Sequence, residues 1–134
     1  MKRRLVAAWL ALALGTTGLV GGCSDAPRVS GSTEEATVTG IVRVRGKPVT
    51  NGRVTFRSSN INRPTAQTKE AEIGKDGRYT ITTLVGENFV EVACKELFEA
   101  KNRQMIENEQ MVKIQSGENT LNIDLPPQGP TKVE

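Results

Sequence analysis

Two cysteines and a complete absence of histidine limit the chemistry open to this chain. Cys23 lies in "LVGGCSDAP", Leu19 to Pro27, and Cys94 lies in "NFVEVACK". A thiolate can close a disulfide, attack an electrophile or carry a thioether-linked group. With no histidine, the commonest general base and the commonest metal ligand are missing. Cys94 alternates in phase with Val90 and Val92, which reads as a small buried apolar residue rather than a nucleophile. The carboxylates Glu70, Glu72, Asp76 and Asp124 follow no calcium-loop spacing, and no pair among them is singled out for acid–base work. Asp76 precedes Gly77 and is explained by a turn, and Asp124 shares a strand face with Asn122, away from Leu121, Ile123 and Leu125. No catalytic residue, metal or cofactor is expected, and the chain reads as a non-enzyme.

The surroundings of Cys23 assign it a different task. Lys2, Arg3 and Arg4 precede the apolar run "LVAAWLALAL", Leu5 to Leu14. A basic start and a short apolar run form a secretory signal, since a membrane span needs about 20 apolar residues. Val20, Gly21, Gly22 and Cys23 follow. This order resembles the lipobox of bacterial lipoproteins: an aliphatic residue, two small residues, then cysteine. The resemblance implies cleavage between Gly22 and Cys23, with acyl chains on Cys23. Two or more chains anchor stably, because each buried methylene contributes ~0.8 kcal/mol. Ser24 after the cysteine, by resemblance to sorting in Gram-negative bacteria, implies the outer membrane, on its periplasmic or surface face.

Removal of residues 1–22 takes three bases and no acid, so the formal charge of +3 falls to zero in the mature chain. A basic-protein argument for nucleic-acid binding therefore fails. With Cys23 acylated, Cys94 has no partner and no intrachain disulfide can form. Residues 23–35, ending "SDAPRVSGSTEE", lack apolar periodicity and read as a lipidated flexible tether. The tail from Pro126, "PPQGPTKVE", residues 126–134, reads as disordered. One domain remains, residues 36–125.

The elements of that domain have the period of strands. "TVTGIVRV" places Val38, Gly40, Val42 and Val44 on one face and Arg43 on the other. Val54 and Phe56 face in, with Arg53, Thr55 and Arg57 out. "AQTKEAEI" is a weaker strand. Asp76-Gly77 is the strongest hairpin signal in the chain. Tyr79 with Ile81, Val90 with Val92, Val112 with Ile114, and Leu121 with Ile123 and Leu125 complete the inward pattern. Short strands at this spacing predict an all-β, seven-stranded sandwich. Glu96 to Gln110 breaks the rhythm and reads as one short helix between the fifth and sixth strands, or a wide loop.

In order, "VTGIVRVRGKPVTNGRVTFRS", "GKDGRYTITTLVGENFVEVAC" and "SGENTLNIDLPP" resemble the carboxypeptidase regulatory-like domain, a transthyretin (prealbumin)-like seven-stranded β-sandwich carried by many small bacterial lipoproteins. The match rests on Gly40 to Val42, Gly46 to Val49, then Asp76, Gly77 and Tyr79, then Leu84, Gly86 and the Val90/Val92 pair. The family usually sets an aromatic where Asn88 stands, with Phe89 one place along, which puts the start of that strand in question. The resemblance implies a structural or binding role with no fixed ligand. Fold-mates that hydrolyse 5-hydroxyisourate depend on histidines and a C-terminal tetrapeptide, and this chain has neither.

Two surface features bear on partners. Residues 36–69 hold seven bases and no acid, and residues 70–134 hold twelve acids and seven bases. Arg43, Arg45, Lys47, Arg53 and Arg57 are candidates for an anionic partner; alternatively, the basic strands pair with the acidic ones on folding. Phe89 and Phe98 are the candidate apolar contacts. The expected function is that of a lipid-anchored cell-envelope protein that presents an interaction or accessory module. The expected partners are membrane lipid, through acylated Cys23, and an unidentified envelope protein. The alternative is a module that binds an envelope or extracellular polysaccharide.

Overall fold

The computed structural model describes residues 29–129 and 131–134. The leader, Gly22 and Cys23 lie outside the described residues. Strand β1 (Glu35–Val44) is the axis of the first sheet. Its alternation buries Ala36, Val38, Val42 and Val44, with Gly40 in phase, and turns Thr37, Ile41 and Arg43 outward. The chain reverses at Arg45 and Gly46, both at positive φ, into the two-residue β2 (Lys47–Pro48), antiparallel to the end of β1. Then come β3 (Arg53–Arg57), β4 (Lys69–Glu72), β5 (Arg78–Leu84), β6 (Gly86–Ala93), β7 (Gln110–Ile114), β8 (Glu118–Thr120) and β9 (Ile123–Leu125).

Antiparallel β5 lines β1 from Glu35↔Leu84 to Ile41↔Arg78. Along the other side of β1 run β8 and β9, both parallel to it. The second sheet has the order β4-β3-β6-β7 and is antiparallel throughout. The two inner faces close on one core. Val38, Val42, Tyr79, Ile81, Leu121 and Ile123 come from the first sheet, and Val54, Phe56, Val90, Val92, Val112 and Ile114 from the second. Each such side chain, fully buried, contributes ~1.5–3 kcal/mol relative to exposure. The architecture is an all-β sandwich. Counting Glu118 to Leu125 as one interrupted strand, and β2 as the return of a turn, leaves the seven strands expected.

The interruption between β8 and β9 has a cause. At Gly40 a Cβ would overlap the main-chain carbonyl of Leu121. Its absence lets that carbonyl accept the buried Tyr79 hydroxyl at 2.8 Å. Leu121 N–H donates to the Thr39 carbonyl, and the Asn122 side-chain oxygen accepts the Ile41 N–H, so the bend leaves these main-chain groups paired. Burial holds the Tyr79 phenol protonated far above its ordinary range.

Three expectations change. Residues 96–110 form neither one helix nor an open loop. They contain two short 3₁₀ turns, Lys95–Phe98 and Ala100–Met105, separated by extended Glu99. A 3₁₀ spiral has three residues per turn, so Leu97 and Met105 reach the core from separate turns. Leu97 and Met105 are buried, and Lys101 is exposed. The tail expected to be disordered folds back: Glu134 exchanges two main-chain hydrogen bonds with Thr120, and Val133 packs on the core. The flexible tether expected over residues 23–35 gives way from Val29 onward to a chain fastened to the sandwich.

Gly40→Ala is expected to destabilise the domain by about 3 kcal/mol, since neither the Leu121 backbone nor the Tyr79 ring can retreat cheaply. Urea unfolding of the protein measures this, and a change within ~0.5 kcal/mol would show that Gly40 is not needed for the close approach.

Candidate interaction surface

The sandwich has two chemically different ends. At the first, the chain arrives at Glu35 and the loop after β3 meets the β5–β6 turn. Arg63, from that loop, is buried. Its Nε donates to the Ser58 carbonyl at 2.5 Å, Nη1 to those of Ser32 at 3.0 Å and Val85 at 2.6 Å, and Nη2 to that of Glu87 at 2.7 Å. A guanidinium is a rigid fork of five donors, which suits several carbonyls converging from different segments. The approaching chain is held by further bonds. Ser30 N–H donates to the Glu87 carboxylate at 2.8 Å, Asn60 Nδ2 to the Ser30 carbonyl at 2.9 Å, and Asn62 Nδ2 to the Val29 carbonyl at 2.6 Å. The bond from Ser30 is the main reason that the Glu87 carboxyl lies below its usual range. Gly86, at φ 101°, lets Ser30 pack where a Cβ would collide.

At this same end Asn88 answers the question left by the sequence. The strand begins at Gly86, and Asn88 faces inward in phase with Val90 and Val92. Its side chain accepts from the Thr83 hydroxyl at 2.8 Å and donates to the Leu84 and Gly86 carbonyls. It staples the β5–β6 turn, a polar job that an aromatic could not do.

The five bases named from the sequence do not form one surface. Arg43 projects from the outer face of the first sheet, and Arg53 and Arg57 project from the second. Arg43 pairs with Asp124 at 3.6 Å, Arg53 with Glu70 at 3.1 Å and Arg57 with Glu109 at 2.5 Å. Arg45, at the β1–β2 turn, donates to Asn102 Oδ1 at 2.7 Å and to the Lys101 carbonyl at 2.8 Å. Lys47 beside it is exposed. Strand register explains the outcome: Arg53 lies directly across from Glu72 and diagonal to Glu70, and Arg43 directly across from Asp124. Such exposed pairs add little stability, but they neutralise the field that a cationic patch needs.

The two phenylalanines are also separated. Phe89 and Ala93 share the outer face of β6, four residues or ~13 Å apart. Phe89 is half-buried: the Arg57 guanidinium lies 5.3 Å from its ring centroid, and Met111 stands directly across on β7. Phe98 is 69 % exposed at the far end of β6, over an open cleft shared with Arg53, Glu72, Ile73 and Cys94.

Reactive groups near the cleft are subdued. Burial pushes the Cys94 thiol up to about 11. Partial burial of Glu96 opposes its ionisation, yet donors from its own main chain, Thr50 and Cys94 outweigh this and hold the carboxyl below its usual range. Among the described residues, no three carboxylate or cysteine side chains gather as a metal site, and no helix is long and apolar enough to cross a membrane.

Sequence reading missed Arg63 and the buried amides. Asn108 exchanges a pair of hydrogen bonds with Val92, 2.8 and 2.9 Å, and so acts as a strand residue where β7 has not yet begun. Asn119 does the same to Gln115, and Asn102 binds the Glu96 carbonyl. No period-two alternation signals these roles: Arg63 and Asn108 act on segments that the fold brings in, whereas Asn102 and Asn119 act within their own loops.

No protein-family model matches the chain, and no curated protein matches it. Similar solved structures include two of one family. A DUF3823 family protein from Parabacteroides merdae superposes with a TM-score of 0.51 at 11% identity, over 68% of this chain and 45% of that one. A DUF3823 family protein from Bacteroides ovatus gives 0.47 at 13% identity, over 69% and 44%. This chain therefore spans less than half the length of either neighbour. At such identity the likeness concerns the fold: this chain is a β-sandwich similar to part of a DUF3823 family protein.

Two outcomes are expected from this geometry. Arg63→Met keeps bulk but strips donors from four carbonyls; it is expected to cost about 3 kcal/mol in urea unfolding and to expose residues 29–34 to proteolysis. Unchanged protease resistance there would show that the chain is held without Arg63. Cys94 is expected to react with a thiol reagent at pH 8 ~100-fold more slowly in the native protein than in denaturant, read as the ratio of modification rates.

Proposed function

We propose that this protein is a non-enzymatic, lipid-anchored component of a bacterial cell envelope that presents a β-sandwich to another envelope protein. The reading takes the fold in its finer form, as a carboxypeptidase regulatory-like domain. The single observation that carries it is the ordered run of basic start, apolar stretch, small residues and Cys23, with a folded domain fastened only six residues later at Val29. The chemistry agrees. Cys94 is buried and protonated, and the strand arginines are tied to neighbouring acids. What remains for function is surface. Phe98, exposed over its cleft at the end away from the anchor, is the contact best placed to meet a partner.

Cys23→Ser tests the anchor. The variant is expected to leave the membrane fraction and to stay folded by circular dichroism; full retention in the bilayer would overturn the anchoring. Cross-linking of the full chain in cells, followed by mass spectrometry, tests the surface. Discrete protein adducts that disappear with Phe98→Ala are the expected result. No protein adduct, together with retention on isolated envelope polysaccharide, would replace the protein partner with a glycan.

A further inference from the structure

The end of the sandwich that receives the chain also carries its most exposed large apolar side chain. Ile61 is 86 % exposed, at the tip of the loop between β3 and β4. An isolated apolar residue on a mobile tip would need no explanation. This tip is braced. Asn60 and Arg63 form an antiparallel bridge around it, and Asn60 Oδ1 accepts the N–H of Asn62 at 2.8 Å and of Arg63 at 3.2 Å. The residues on either side of Ile61 are the two asparagines that grip the carbonyls of Ser30 and Val29. The structure thus fixes an isoleucine beside the point where the chain departs toward Cys23, and Val29 at that point is 38 % exposed.

Chain length then limits where this end can be. Cys23 and Val29 are six residues apart, so ~21 Å is the furthest that Val29 can stand from the acylated residue. Strand β1, with ten residues, is itself ~33 Å long. The anchor is shorter than the domain it holds. We infer that the Asn60–Arg63 loop is a membrane-contact element: Ile61 enters the bilayer interface next to the anchor, and the opposite end, with Phe98, points away from the lipid. The inference rests on the reading of Cys23 as the lipidated residue. The partner is a lipid surface and the chemistry is apolar insertion, an auxiliary to acyl anchoring rather than a replacement for it.

The mature chain contains no tryptophan, since Trp9 lies in the leader, so a single introduced indole reports its own surroundings. Full-length Ile61→Trp and Phe98→Trp would each be expressed with the leader, purified in lipidated form, and reconstituted into phosphatidylethanolamine–phosphatidylglycerol vesicles with and without brominated acyl chains. Both sites are exposed, so neither substitution disturbs packing. The expected result is co-flotation of both variants, with blue-shifted emission and bromine quenching several-fold stronger at position 61 than at position 98. Co-flotation with equal quenching at the two sites would overturn the contact and leave the anchor standing. Failure of the mature protein to carry acyl chains or to float would overturn the anchor, and the orientation with it.

Discussion

A buried guanidinium held by main-chain carbonyls organises one whole end of this molecule. Withdrawing a charge from water costs several kcal/mol unless hydrogen bonds replace the lost hydration. Arg63 recovers that cost from four carbonyls on four stretches of chain: the end of β3, the incoming segment, the β5–β6 turn and the start of β6. Lysine could not serve, because its three donors sit on one point and cannot reach in four directions. The consequence runs up the chain. Because Ser32, Ser30 and Val29 are held by Arg63, Glu87 and the two asparagines, the folded unit begins well before the first strand.

The other end is built on a different device. Here the strands stop early, and side-chain amides finish the pairing. Asn108 meets both main-chain groups of Val92, and Asn102 links the two 3₁₀ turns to each other and to Arg45. A buried amide bonded on both sides rigidifies a loop without adding a charge. Buried Leu97 and Met105 then peg the segment to the core. Phe98 has no such role: it is the residue that a 3₁₀ turn pushes outward when its neighbour Leu97 is drawn in. A rigid loop that exposes one aromatic ring is well suited to recognition, since little freedom remains to be lost on contact.

How much of this was legible in the residues depended on the range of the interaction. Period-two alternation is local, and it located β1, β3, β5, β6, β7 and the C-terminal run with the correct inward faces, down to Tyr79, Val90 and Cys94. The Asp76-Gly77 turn is likewise local. Most of the failures are non-local, and the exception is Asn88. Arg63 looked like one more base in a charged stretch, because its partners lie as far as 31 residues away. Asn88 looked like a misplaced aromatic, because its task is to close a turn. The tail looked featureless, because Thr120 is what orders it. Arg43 and Arg57 looked outward and are outward, yet their acids come from β9 and from the residue before β7, so the net field could be read only after register was known.

These two ends give the molecule a direction. The four-stranded sheet runs the length of β6 from Gly86, beside the incoming chain, to Ala93, beside the cleft under Phe98. At the first end, bonds from Arg63, Glu87, Asn60 and Asn62 hold residues 29–32, while Asn88 closes the β5–β6 turn. At the second, Asn108 and Asn102 tie the 3₁₀ segment to Val92 and Arg45. The sandwich between them, two sheets closed on one core, fixes the braced entry of the chain at one end relative to the exposed ring at the other.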